Sequence, residues 1–310
     1  MSTVARATTR DANARLMRLA TYASVGVAGV LIVIKTGAWL ATDSVVILSS
    51  LIDSMLDSMA SVVNLIAVRH ALTPADYEHR FGHGKAESLA GLAQSAFIMG
   101  SALFLLFVAG SRLITPRDIS YGDVGIAVMV VSIVLTFALV WFQTHVARRT
   151  GSTAIAADSI HYRADLLVNV GIIVSLVLVS RLGWTLLDPL IAIAIAVYIV
   201  HGVWGIARKS LNVLMDREVA TEDREHILEI VRAHPAVKGV HDLRTRLSGT
   251  QPFIQLHLEL AGDMTLTDAH IVSDQVEAEI MAEFPDSEVI IHQDPEGLEE
   301  PPPKYARTEG

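Results

Sequence analysis

The stretch Ser44–Val68, SVVILSSLIDSMLDSMASVVNLIAV, is long and apolar enough to cross a bilayer, yet it carries Asp53 and Asp57 near its middle. A spanning helix takes roughly 20 mostly apolar residues, and a charge at its centre costs about 2.5–3.5 kcal/mol or more. Four residues apart, the two acids share one helical face and repel each other. A cation held between them offsets both penalties. A second apolar run, Thr153–Gly183, carries His161 and Asp165 at the same spacing. Two such pairs supply four oxygen and nitrogen donors, which suits a tetrahedral divalent-metal site. The competing reading has the acids neutral or paired with a protein cation. Arg163 is the only base nearby along the chain, and it lies two residues from both His161 and Asp165, directed away from their face. Two matched pairs at lipid depth therefore read as functional.

The remaining composition agrees. Over 310 residues, 52% are hydrophobic, and these are clustered. Without a cysteine there is no disulfide framework and no thiolate ligand, so a metal site must use His, Asp, Glu or backbone. That donor set fits zinc, iron(II) or another first-row cation and disfavours copper(I). Charge divides the chain: residues 216–310 hold 21 acids against 8 bases, and the preceding residues hold 12 acids against 16 bases. No clustered basic face points to nucleic acid. The N-terminal segment lacks a short apolar core followed by a cleavage site, so no signal peptide is expected.

Six apolar runs follow one another: about Met17–Leu40, Ser44–His70, Ala86–Leu113, Asp123–Arg149, Thr153–Gly183 and Trp184–Lys209. Lipid leaves the backbone no water to bond, so each is expected to be a helix. Residues 16–210 thus read as a six-helix transmembrane domain after a short N-terminal segment, 1–15. One membrane side collects Arg6, Arg10, Arg15, Arg18, Arg69, Arg80, Lys85, Arg148, Arg149, Arg208 and Lys209. The other receives only Arg112, Arg117 and Arg181 from its loops, with Lys35 near the end of the first run. Positive residues favour the cytoplasm, which places both termini there. At about 1.5 Å per residue, Asp53 and Asp165 then reach similar depths near the midplane, where secondary transporters bind their cargo.

The loop Leu72–Lys85, LTPADYEHRFGHGK, offers Asp76, His79 and His83 as a possible metal group, with solvated loop histidines as the alternative. His70, His145 and His201 lack a matching partner and read as helix-end or packing residues. Past Lys209 the hydropathy drops. Thr221–His234 reads as an amphipathic helix, Lys238–Leu247 and Pro252–Leu260 as strands around Ser-Gly-Thr, Thr265–Phe284 as a helix and Glu288–Gln293 as a third strand. Residues 211–295 therefore form a small α+β domain, and 296–310, with three consecutive prolines, a disordered tail. In the second strand Ile254, Leu256, Leu258 and Leu260 alternate with Gln255, His257 and Glu259, so His257 faces away from the apolar set. His241, His257, His270, His292 and Asp294 form a further candidate metal cluster.

The segments LIDSMLDSMAS, PADYEHRFGHGKAESLAGLAQS, ADSIHYRADLLVN, HDLRTRLSG, FIQLHLEL and VIIHQDP, in that order, resemble the cation diffusion facilitators from about Arg15 to Pro295. The resemblance implies six transmembrane helices followed by a cytoplasmic domain of metallochaperone-like, ferredoxin-like fold. It implies a transport site at Asp53, Asp57, His161 and Asp165, and a loop site at Asp76, His79 and His83, where the spacers Tyr77 and Glu78 depart from the family. It further implies a binuclear site from His241, His257, His270, His292 and Asp294, next to Gln293, at the interface of a homodimer. A charge interlock would join Lys85 and Asp216. The function implied is efflux of zinc, with cadmium or iron(II) also possible, across the bacterial inner membrane in exchange for protons. Metal binding needs ionised acids and a neutral imidazole, so it expels protons; His161, with an unperturbed pKa of roughly 6.5, is the expected proton carrier, a role that Asp57 and Asp165 could share. No nucleophile–base pair or phosphate-cradling loop is present, so neither an enzyme nor an ATP-driven pump is expected. The rival reading is a metal-gated channel or sensor without proton coupling.

Overall fold

A computed structural model of the chain describes residues 3–114, 123–182 and 186–297. Six long helices open it: α1 (Thr3–Thr42), α2 (Val45–Ala71), α3 (Lys85–Ile114), α4 (Asp123–Thr150), α5 (Thr153–Leu182) and α6 (Leu187–Leu214). They correspond to the six apolar runs. Five hold stretches long and apolar enough to cross a membrane, and α5 has the length but carries Asp158, Arg163 and Asp165. The first helix begins well before its apolar run, because the Ala- and Arg-rich segment ahead of Met17 is built of good helix formers. Arg117, the join at Gly183 and Trp184, and the tail beyond 297 lie outside the described residues.

Burial in the helical unit, Arg10–Leu214, is inverted relative to a water-soluble protein. Phe104, Phe107, Phe137, Trp141 and Trp204 stand on its outside, while Ser24, Asn64, Gln94, Thr136, Gln143 and Asp158 are buried. Lipid gives apolar side chains no reason to hide and polar ones every reason to find partners inside. α3 packs on α6, α5 on both α4 and α6, and α2 touches α3 and α5. Small residues permit the closest approaches: a Cβ on Gly171 of α5 would meet the Ile195 side chain of α6 at 2.8 Å.

The second unit runs from Met215 and contains α7 (Thr221–Ala233), β1 (Gly239–Ser248), β2 (Gln251–Leu260), α8 (Leu266–Glu283) and β3 (Glu288–Pro295). The sheet order is β1-β2-β3, antiparallel between the first two and parallel between the last two. Gly249, at φ 63°, makes the tight hairpin link. α8 is the crossover, and Thr265 caps it by accepting from the Asp268 amide at 3.2 Å. Ile254, Leu256, Leu258 and Leu260 face α7 and α8 and form the core with Ile227, Val231, Val276 and Ile280. The other face of β2 carries His257 and Glu259, as the alternation in the sequence requires.

Candidate metal centres

Among the described residues, three groups of ligand-type side chains converge within 4.8 Å: Asp57, His161 and Asp165; Asp76, His79 and His83; and His241, His257 and Asp294. The first lies about halfway along α2 and in the first half of α5. His161 Nε2 is 3.0 Å from Asp57 Oδ1 and 3.8 Å from Asp165 Oδ2. Its ring is buried, with Phe97 edge-on at 6.1 Å. Asp53, one turn before Asp57, is exposed and stands outside this trio.

Next to the trio lies a polar hub that joins five helices. Asp158 of α5 is fully buried and accepts from Ser24 Oγ of α1 (2.7 Å), Gln94 Nε2 of α3 (3.0 Å) and Gln143 Nε2 of α4 (2.5 Å). Ser24 also bonds Ser61 of α2, which bonds the Tyr162 hydroxyl at 2.8 Å. The hub fixes α5 one turn from His161. Sequence reading passed over Asp158, although a third acid in an apolar run was a visible signal.

The bases require one correction. Arg163 is directed elsewhere as expected, towards Thr144 Oγ1 at 3.1 Å and the Tyr198 hydroxyl at 3.4 Å. It is not, however, the only base near the acids. Lys35 of α1 is buried and donates to Ser54 Oγ (2.7 Å) and to the Ser50 carbonyl (3.1 Å), on the helix that carries Asp53 and Asp57. It lies distant in sequence, which is why a search along the chain missed it.

In the loop, Asp76 Oδ1 accepts from the backbone amides of His79 (2.6 Å) and Glu78 (3.0 Å), a turn that the Asx side chain itself creates. The His79 amide above all, with the Glu78 amide and the neighbouring His83, holds the Asp76 carboxyl below its ordinary value of 3.8. Asp76 Oδ2 lies 3.2 Å from His83 Nε2. The His83 ring is buried, and its Nδ1 has no hydrogen-bond partner among the described residues. His70, in the last turn of α2, sits edge-to-face against His83 with centroids 4.5 Å apart. Glu78 contributes its amide here.

In the sheet, His241, His257 and His292 are register partners across β1, β2 and β3. Asp294 is buried beneath them, 2.8 Å from His257 Nδ1, 3.7 Å from His241 Nε2 and 3.3 Å from His292 Nε2. Gln293 turns the other way, to Ser273 on α8. His270 of α8 is exposed and lies 3.5 Å from Asp274, outside the converging group. Two acids join the site that sequence reading did not select. Glu259 accepts from His241 Nδ1 at 2.9 Å if that nitrogen bears the proton. Asp242, at φ 47° in a bulge of β1, comes to 3.8 Å from His257 Nε2. Asp216 lies 3.7 Å from Arg246.

Residues 21–215 match the cation efflux transmembrane domain, and residues 219–296 match the cytoplasmic domain of cation efflux proteins. The chain belongs to the cation efflux family. It is similar to the cation-efflux pump FieF of Shewanella oneidensis, with 48% identity over 283 residues, 91% of this chain and 95% of that protein. It is also similar to FieF of Klebsiella pneumoniae, with 46% identity over 284 residues, 92% of this chain and 94% of that protein. The metal-bound C-terminal domain of the CzcD transporter from Thermotoga maritima is 31% identical, covering 26% of this chain and 93% of that one with a TM-score of 0.25. The resemblance read from the sequence motifs is borne out, as is the helical membrane domain followed by an α+β domain. As a cation efflux protein, the chain is a multi-pass membrane transporter of divalent cations.

Proposed function

We propose that this cation efflux protein exports zinc, with cadmium and iron(II) as alternative cargoes, in exchange for protons. The observation that carries the reading is the convergence of Asp57, His161 and Asp165 between two long helices, α2 and α5, of the membrane domain. Two oxygen donors and one nitrogen donor within 4.8 Å suit a borderline metal such as zinc. Asp53 supplies the fourth ligand after a side-chain rotation.

Metal and protons compete for the same lone pairs, because a carboxylate or imidazole binds a cation only through a deprotonated atom. If the site opens to one membrane side at a time, cytoplasmic loading releases protons and outward exposure lets protons displace the metal. No covalent reaction is involved. Both termini are assigned to the cytoplasm of a bacterial inner membrane, as the Lys/Arg distribution favours. Asp76, His79 and His83 form the loop site. His241, His257, His270, His292 and Asp294 form the cytoplasmic site of a homodimer, with Lys85 and Asp216 as a charge interlock.

Zinc flux into proteoliposomes, measured with and without a pH gradient, tests this reading. Wild type should transport faster with protons higher on the trans side, Asp57→Ala should be inactive while still purifying as the wild-type assembly, and His161→Asp should shift preference towards manganese. Flux that ignores the pH gradient would replace antiport by a metal-gated channel. Unchanged zinc transport in His161→Asp would remove His161 from the ligand set.

A further inference from the structure

The geometry points to Lys35 as a resident counter-charge of the transport site, which sets the cavity's charge to match a divalent ion. This inference rests on the transport-site assignment above.

Three observations place it. Lys35 lies seven residues before the end of α1, yet it is buried instead of extending to the membrane surface, the usual resort of an intramembrane lysine. Its ammonium is held by Ser54 Oγ and the Ser50 carbonyl, at 2.7 and 3.1 Å. Ser50, Ser54, Asp57 and Ser61 follow at spacings of four, three and four residues, so they form one stripe of α2 and the ammonium sits along the face that carries Asp57. The carboxylates acting on it through space are those of the site: Asp57, Asp165 and Asp53. None of the three has its oxygens tied up by this lysine, whose bonds go to neutral groups.

Charge then decides the consequence. Three ionised carboxylates and a neutral imidazole, set against one ammonium, leave two net negative charges. One divalent cation cancels them. Asp158 is not a ligand and is not counted with them: its charge stays on the neutral donors Ser24, Gln94 and Gln143 of the hub, in the empty and the loaded cavity alike. Uncompensated charge is expensive at this depth, so the loaded cavity is cheapest when the cargo is doubly charged. Lys35 also repels the cargo. It weakens binding by a through-space effect, and the weaker binding permits release within a transport cycle.

Lys35→Met removes the charge while keeping much of the stem, and Lys35→Arg keeps it. Both are to be made in the full chain carrying His79→Ala and Asp294→Ala, so that binding reports the transport site. Zinc and terbium(III) affinities are measured by competition, and zinc transport in proteoliposomes. An ammonium about two helical turns from the ion, in an effective dielectric of about 20, gives an expected tightening of zinc binding of about 100-fold or more in Lys35→Met. Coulomb energy scales with ionic charge, so the logarithm of the gain for terbium should be about one and a half times that for zinc. Transport should show lower KM together with lower turnover, and Lys35→Arg should restore both. Zinc affinity within twofold of the parent in Lys35→Met would overturn the proposal. So would equal weakening of both ions, because a lysine that only holds α1 to α2 cannot sense cargo charge. Asp57→Ala in the same background separates the two readings: if it leaves zinc affinity intact, the transport-site assignment itself falls. If Asp57→Ala abolishes binding while Lys35→Met changes nothing, only the counter-charge falls.

Discussion

Replacing Gly239 by alanine should separate the metal chemistry of the sheet from the stability of the sheet. The added Cβ would stand 2.5 Å from Glu259 Oε2 and 2.7 Å from its Cδ, closer than real contacts allow. The obstacle is the end of a flexible side chain, so the carboxylate swings aside without moving the backbone. Alanine also recovers up to about 0.5–1 kcal/mol that glycine loses in a strand. What disappears is the 2.9 Å bond between Glu259 and His241 Nδ1. Such a partner fixes the tautomer and orientation of a ligating imidazole, and losing it typically costs about 10–100-fold in metal affinity. At about 1.4 kcal/mol per decade that is about 1.4–2.8 kcal/mol. Zinc calorimetry on the full chain with Asp57→Ala and His79→Ala isolates the sheet site, and hydrogen exchange of β1 and β2 reads the fold. We expect zinc Kd to rise tenfold or more while amide protection stays level or increases slightly. A Kd within twofold of the parent would refute the orienting role of Glu259. A parallel fall in protection would refute the claim that the clash ends at the side chain.

Leu258→Ala, at a fully buried core position, should cost about 2–5 kcal/mol, read as early loss of amide protection across β2 in a urea series. Asp158→Asn places an amide N–H against one of three donors; each unsatisfied buried donor costs about 1–3 kcal/mol, so the thermal midpoint in detergent should fall and zinc transport should weaken with it. Because the Asp76 carboxyl is held below its ordinary 3.8, its turn is stable above that value and is lost only as pH falls through the depressed folded pKa. The His79 amide should therefore stay protected in hydrogen exchange at pH 5 and open at still lower pH, whereas Asp76→Asn should abolish the pH dependence.

Apolar runs of spanning length and strict alternation in β2 made most of the fold legible, because lipid and a half-buried sheet each impose one simple period. Asp57, His161 and Asp165 were legible for the same reason, as costly groups in matched positions. Lys35 and Glu259 were not. Lys35 meets the acids only through the packing of α1 against α2, and Glu259 reads as an ordinary outward residue until Gly239 is seen to make room for it. Asp242 was hidden by a bulge, which breaks the alternation that sequence reading depends on. His270 shows the reverse: the resemblance implies it as a ligand, but in one chain its helix points it to Asp274.

The row formed by His241, His257 and His292 has a consequence for how the cytoplasmic domain matures. Strand pairing that buries Leu256 and Leu258 is the same pairing that lines up the three imidazoles. A slip of β2 by a single residue would turn His257 inward beneath the helices and the leucines of that strand outward. Misaligned chains thus forfeit ion capture and burial together, so a bound ion favours only correctly paired molecules and withdraws nothing from the others.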